Sequence, residues 1–246
     1  MKTNRSAVWP LGLAFILQGL FMILPSRLDS QAPRVKTGEI KENQEYKSGM
    51  GLFSITVPAA GNPSIRTYKV RESQLKDDNF DYEEVLFSIT DFGQAYGAGV
   101  RRIPPLVQAQ MAKEDQKQVL SNLADKALFQ WRDDYAAPPR FVDDSAIDTQ
   151  FGPGLLRVYL ARRSSLLVTK TADSDQAEHF DAYIGVLVVR KGDLFICATA
   201  EDDFMQQQKS HRPPVSAEST GDDFDPKPLE KELQRFFATM RVNLKG

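Results

Sequence analysis

Cysteine is nearly absent from this chain. Cys197 is the only one in 246 residues, so no intrachain disulfide can form and the apolar core must hold the fold alone. Histidine is almost as scarce. His179 and His211 are the only two, with no His-x-x-His pair and no second cysteine beside them. A structural zinc site takes about four nitrogen or sulfur ligands in a tetrahedral array, and no spacing here supplies them. There is no Lys/Arg-rich run and the formal charge is −2, which speaks against a nucleic-acid partner. No motif recurs with a period of about 20 to 50 residues, which excludes a solenoid.

Motifs for chemistry are also missing. There is no Gly-x-Ser-x-Gly elbow, and Ser54, Ser164 and Ser165 have no base at a recognisable spacing. Asp91-Phe92-Gly93 spells the kinase metal motif, yet no His-Arg-Asp and no glycine-rich loop precede it. Gly97-Ala98-Gly99 does not extend to a dinucleotide fingerprint, because position 102 is arginine. Acidic pairs are common: Asp77-Asp78, Asp133-Asp134, Asp143-Asp144, Asp202-Asp203 and Asp222-Asp223. Neighbours on a strand point to opposite faces, so such pairs read as solvated charge at element ends. Glu201-Asp202-Asp203 and Asp222-Asp223-Asp225 carry oxygen ligands suited to calcium, but neither has EF-hand spacing. Arg101-Arg102 could attract an anion. His179, beside Phe180, reads as a surface residue at a strand start. Cys197 falls in a strand expected to be buried and reads as a small core residue rather than a reactive thiol. No residue is assigned a catalytic, cofactor-binding or metal role, and no cofactor is implied.

What is present begins with a targeting pattern. Lys2 and Arg5 precede an uncharged run from Ser6 to Ser26, the form of a secretory signal peptide. Ser30-Gln31-Ala32 offers small residues at the −3 and −1 positions of a cleavage site. At roughly 20 residues the run is also long enough for an uncleaved membrane anchor. Residues 1–32 are therefore expected to export or anchor the chain, and 33–44, polar and aperiodic, to act as a tether. Residues 45–246 are expected to form one domain. Hydrophobic residues make up 41% of the chain and charged ones 26%, enough for an ordinary core.

Within that domain the organising stretch is Phe180–Ala200. Ile184, Val186 and Val188 share one face of a strand; Tyr183, Leu187 and Val189 share the other. Apolar residues on both faces predict a strand covered from both sides. Gly192 is the turn residue. The return strand carries Leu194, Ile196, Ala198 and Ala200 opposite Phe195 and Cys197. Upstream, strands are expected over 52–57, 65–70 and 82–90, with a charged connection at 74–81 and a flexible loop at 93–99. Pro104-Pro105 marks a break. The stripe Val119, Leu120, Leu123, Ala124, Ala127, Leu128, Trp131 and Tyr135 predicts an amphipathic helix over 117–135. A weak strand is expected over 140–149, a turn at Gly152-Pro153-Gly154 and a better strand after it. Ser165 to Thr169 continues or pairs with that strand. Gln206 to Phe224 reads as a mobile surface loop. Asp225 and Pro226 then suit the N-cap and N1 positions of a last helix. Its buried stripe is Leu229, Leu233, Phe236, Phe237 and Met240.

This order predicts an α+β fold, an α/β/α sandwich around a largely antiparallel sheet. The opening YKSGMGLFSITVPAAGNP, the Val85–Ile89 strand, the long helix, the later hairpin and the closing ELQRFFATMRV resemble PsbP-like domains in order, over roughly residues 46–246. The resemblance implies an exported or membrane-associated, non-enzymatic protein with an assembly or stabilising role and a protein partner in the cell envelope. The long Gln206–Phe224 stretch departs from the compact version of that pattern. No family site has a matching motif, so no binding residue is carried over. The alternative architecture is a helix-grip fold, with a ligand cavity between helix and sheet. Two other functions stay open: a carrier of a small apolar ligand, and an envelope hydrolase using His179.

Overall fold

The computed structural model describes residues 34–59, 67–77, 80–89, 94–129, 139–161, 168–170, 177–179, 182–203 and 227–243. In chain order the elements are β1 (Arg34–Lys41), β2 (Glu45–Lys47), β3 (Phe53–Thr56), β4 (Thr67–Asp77), β5 (Phe80–Ile89) and β6 (Gln94–Arg102). Helices α1 (Pro105–Met111) and α2 (Gln116–Phe129) follow, then β7 (Arg140–Thr149), β8 (Gly152–Ala161), β9 (Val168–Lys170) and β10 (Ala177–His179). The chain closes with β11 (Ala182–Lys191), β12 (Leu194–Asp203), α3 (Lys227–Ala238) and β13 (Arg241–Val242). The fold is α+β, dominated by one eight-stranded sheet in the order β1-β4-β5-β6-β12-β11-β8-β7. Every neighbouring pair in it is antiparallel. A three-stranded sheet, β13-β3-β2, and the β9–β10 pair stand apart from it.

Strand β11 has the two faces its sequence predicts. Tyr183, Leu187 and Val189 join a core that includes Leu229, Leu233, Phe236 and Phe237 of α3. Ile184, Val186 and Val188 join a second core with Val119, Leu120, Leu123, Ala124 and Ala127 of α2. The return strand divides the same way: Leu194, Ile196, Ala198 and Ala200 toward α3, Phe195 and Cys197 toward α2. The hairpin turn has two residues, Gly192 and Asp193, between paired Lys191 and Leu194. Gly192 has φ +61°, the first-position geometry of a type II′ turn, which only glycine adopts cheaply.

Local chemistry explains the helix starts. The Asp115 carboxylate accepts hydrogen bonds from the backbone N–H of Lys117 at 2.9 Å and Gln118 at 3.2 Å, capping α2. Pro105 is the first residue of α1, where its missing N–H costs nothing. Met240 is buried one residue after α3 has turned out of helix. Among the described residues no helix is long and apolar enough to cross a membrane.

Four expectations are corrected. Residues 34–41, expected in a tether, pair along β4 from Thr67 to Gln74 as an edge strand. The charged stretch 74–81, expected as a connection, is mostly ladder: β4 runs to Asp77 and β5 resumes at Phe80. Charge is tolerated there because Gln74 to Lys76 and Asp81 remain half-buried or exposed. Residues 94–99, expected as a loop, belong to β6, between β5 and β12. The glycines that suggested a loop instead make room. A Cβ at Gly99 would lie 3.3 Å from both the Cys197 sulfur and Glu84 Cβ. Finally, Gly152 and Gly154 open β8 rather than forming a turn, and the chain reverses at Gln150-Phe151. Helix α2 is described to Phe129. Trp131 and Tyr135 lie outside the described residues, as do residues 1–33, His211 and the whole stretch 204–226.

Candidate functional site

Helix α3 is amphipathic, and its two sides make the site. Leu229, Leu233, Phe236 and Phe237 bury against the sheet. The Phe236 ring meets Tyr96 at 5.4 Å and Phe87 at 6.4 Å, both edge-on. Side chains of helix and sheet thus meet directly beneath α3. Along its flank a cleft of about 540 Å³ opens, with Lys231, Glu232 and Arg235 on one wall and Thr56 to Ala59, leaving β3, on the other. Pro58, Pro228, Phe236 and Asn43 also line it.

The cleft walls are tied together by named bonds. Thr239 Oγ1 accepts from the Thr56 N–H at 3.1 Å and donates to the Phe236 carbonyl at 2.8 Å. This stitches the end of α3 to β3 where β13 no longer pairs with it. Asn43 has φ +58°, a left-handed conformation that asparagine tolerates better than most residues. Its N–H donates to the Val57 carbonyl at 2.9 Å. Glu232 accepts a hydrogen bond from the Tyr96 hydroxyl. Lys231 and Arg235, four residues apart and exposed, lie on one helix face. The cleft lining thus carries two cations and the Glu232 carboxylate, with a proline on each of its two segments.

Beneath the same core face, Glu83 of β5 holds a loop. It is 2% exposed. Its carboxylate accepts from the Ser48 hydroxyl, the Met50 N–H and, at 2.9 Å, the Leu52 N–H. The β2–β3 loop thus folds around a buried carboxylate that replaces water as acceptor. The signal is readable in principle: alternation puts Glu83 on the same face as Val85 and Phe87. Glu72 is buried likewise. Burial first, then the neighbouring Glu72 charge and hydrogen bond, hold the Tyr46 hydroxyl well above the usual phenol range.

On the α2 side of the sheet, Glu84 lies opposite Gly99, which lies opposite Cys197. Burial pushes the Glu84 carboxyl up to about 7, against the lowering influence of Arg101 and Arg71. Arg101 in turn lies over the Tyr82 ring at 5.1 Å. Burial, helped by the Glu84 charge, raises the Cys197 thiol to about 12. Cys197 is buried and stays a neutral thiol at any physiological pH.

Among the described residues, those singled out by sequence do not converge. Arg102 pairs with Asp193 and, at 3.9 Å, with Asp81, on the face opposite Arg101. Asp143 and Asp144 point to opposite faces of β7, and Asp144 pairs with Lys117 at 3.4 Å. Glu201 is buried, and strand alternation separates it from Asp202. His179 ends β10, opposite Val168; its side chain, Ser164, Ser165, Asp91 and the Asp222–Asp225 cluster lie outside the described residues. Among the described residues no three His, Cys, Asp or Glu side chains group as metal ligands. Lys231 and Arg235 were not singled out; their signal is a basic pair at helical spacing opposite the apolar stripe.

No family model, no curated protein and no solved structure matches this chain.

Proposed function

We propose that this chain is a non-catalytic exported protein of the cell envelope, an interaction or stabilising module built on a PsbP-like α/β/α sandwich. The observation that carries the reading is the open cleft along α3. Its exposed cations share the lining with Phe236, whose ring is held by Tyr96, a form suited to an extended segment of a protein partner. An apolar carrier needs empty space beneath α3, and Leu229, Leu233, Phe236 and Phe237 fill that space. Export rests on Lys2, Arg5 and the uncharged run behind them.

A photoreactive residue at Arg235, compared with one at exposed Gln118 on α2, tests the cleft. The expected result is a discrete adduct in the envelope fraction from position 235 alone, lost on Lys231→Glu. Equal labelling at both positions, or indifference to Lys231→Glu, would overturn it. Fractionation and the mass of the mature N-terminus test export. A chain beginning near Pro33, or an intact chain in the membrane, supports it; a cytosolic chain retaining Met1 rejects it.

A further inference from the structure

Helix α3 carries a basic stripe. Lys227, Lys231 and Arg235 follow one another four residues apart, so they share one side of the helix. Like charges at this spacing oppose each other within the helix. The acids of α3 are Glu230 and Glu232, neither of them four residues from Lys231 or Arg235. Glu232, three residues before Arg235, accepts from the Tyr96 hydroxyl instead. Lys231 and Arg235 are exposed and line the cleft. Among the described residues, no hydrogen bond or ion pair engages either side chain. Arg235, in the last turn, suits the negative end of the helix; Lys231, in mid-helix, has no such gain.

We propose that the segment held in this cleft is acidic, with Asp or Glu on alternate residues. The inference rests on the cleft as a partner site and names the chemistry of its occupant. Charge favours it. The lining sets Lys231 and Arg235 against Glu232 alone, a net charge of +1 (2 − 1). A basic segment would meet two cations, and a neutral one would leave both without a partner.

Spacing favours it as well. Four helical residues rise about 6 Å, the step from Lys231 to Arg235 along α3. Two residues of extended chain advance about 7 Å, and alternate side chains point the same way. An extended segment lying along α3 can therefore set one carboxylate on each cation, and the arginine can donate to its carboxylate in bidentate fashion. Adjacent acids point to opposite sides and bring only one carboxylate to the helix.

The test is fluorescence anisotropy of labelled peptides titrated with the full chain, in mild non-ionic detergent that keeps residues 1–32 from driving association. The probes are Thr-Ser-Glu-Thr-Glu-Ser-Thr, its adjacent-acid isomer Thr-Ser-Glu-Glu-Thr-Ser-Thr, and the neutral Thr-Ser-Gln-Thr-Gln-Ser-Thr. The alternating acidic peptide should bind about tenfold tighter than the isomer and tighter still than the neutral peptide, one charged hydrogen bond being worth about that factor. Lys231→Glu/Arg235→Glu should reverse the preference, taking Thr-Ser-Lys-Thr-Lys-Ser-Thr over the acidic peptide. No binding of the alternating acidic peptide would overturn the proposal. So would equal binding of that peptide and either control, or acidic binding that survives the charge reversal. If position 235 still forms its adduct in the envelope fraction, such a result removes the acidic occupant and leaves the cleft as a partner site; without an adduct both are lost. If circular dichroism shows the reversed chain unfolded, Lys231→Gln/Arg235→Gln decides, and it should bind the acidic and neutral peptides alike.

Discussion

The Glu83 carboxylate orders the 48–52 loop. Three donors converge on its carboxylate, and Glu83→Ala leaves the buried Ser48 hydroxyl and the half-buried Met50 and Leu52 N–H groups without it. The expected loss is about 3 kcal/mol, read from the urea midpoint; an unchanged midpoint would show that the 48–52 loop holds without the acid. Glu84, its neighbour in sequence, works in the other sense. Its carboxyl rises from 4.5 to about 7 because burial outweighs Arg101 and Arg71. The folded state then binds more protons than the unfolded one between those values, so its contribution lowers stability as pH rises through the window. Above about pH 7 the penalty is complete. Glu84→Gln should remove this slope, and the difference between the two proteins, followed by denaturation at several pH values, should grow from pH 4.5 to 7. A constant difference would place the Glu84 carboxyl at its ordinary value. Gly192→Val forces a β-branched residue to φ +61°, costing about 1–2 kcal/mol; an unchanged melting temperature would contradict the turn geometry. At this scale much was legible. Gly192 follows from a broken apolar run, and Cys197 from its place in a two-faced strand. Glu83 and Glu72 follow only by letting alternation override the expectation that a carboxylate faces water.

Among the elements, α3 and β11 make the closest helix-to-sheet approach shown by a glycine. Their close approach runs over Gly185, where a Cβ would lie 3.0 Å from Leu233 Cδ2 and 3.5 Å from Leu229 Cγ. Alanine there needs Leu233 to shift; valine has no room. Gly185→Val should destabilise by about 1–3 kcal/mol through overpacking. It should also lower amide-exchange protection of 229–237 more than that of 119–127 in α2, which packs on the opposite face. Equal loss in both helices would mean that α3 does not rest on Gly185. The long amphipathic helix, the closing helix and the hairpin were legible because each repeats its period over several turns or pairs of residues. Strand β6 was not, since its two glycines carry no side chain to show alternation and suggest a loop. Strand β1 was missed for a related reason: its charged residues stand on an exposed edge, and only the backbone ladder to β4 makes it a strand.

For the molecule as a whole, the α+β class and the two-sided cover of β11 could be read from the chain alone. Alternation with period two and stripes with period 3.6 are local properties, set by where successive Cβ atoms point. They assign side chains to faces before any strand finds its neighbour. Strand order is different. Pairing β12 with β6 and β8 with β11 joins segments far apart in sequence, and many pairings satisfy the same pattern of faces. The cleft is likewise a product of assembly, since Thr56–Ala59 and Lys231–Arg235 have no sequence relation and meet only where Thr239 bonds to Thr56. Burial and face in β11, β12, α2 and α3 follow from backbone geometry residue by residue. Which strands are neighbours, where the surface opens and which strands end up as edges depend on contacts between distant segments, and no local period encodes those.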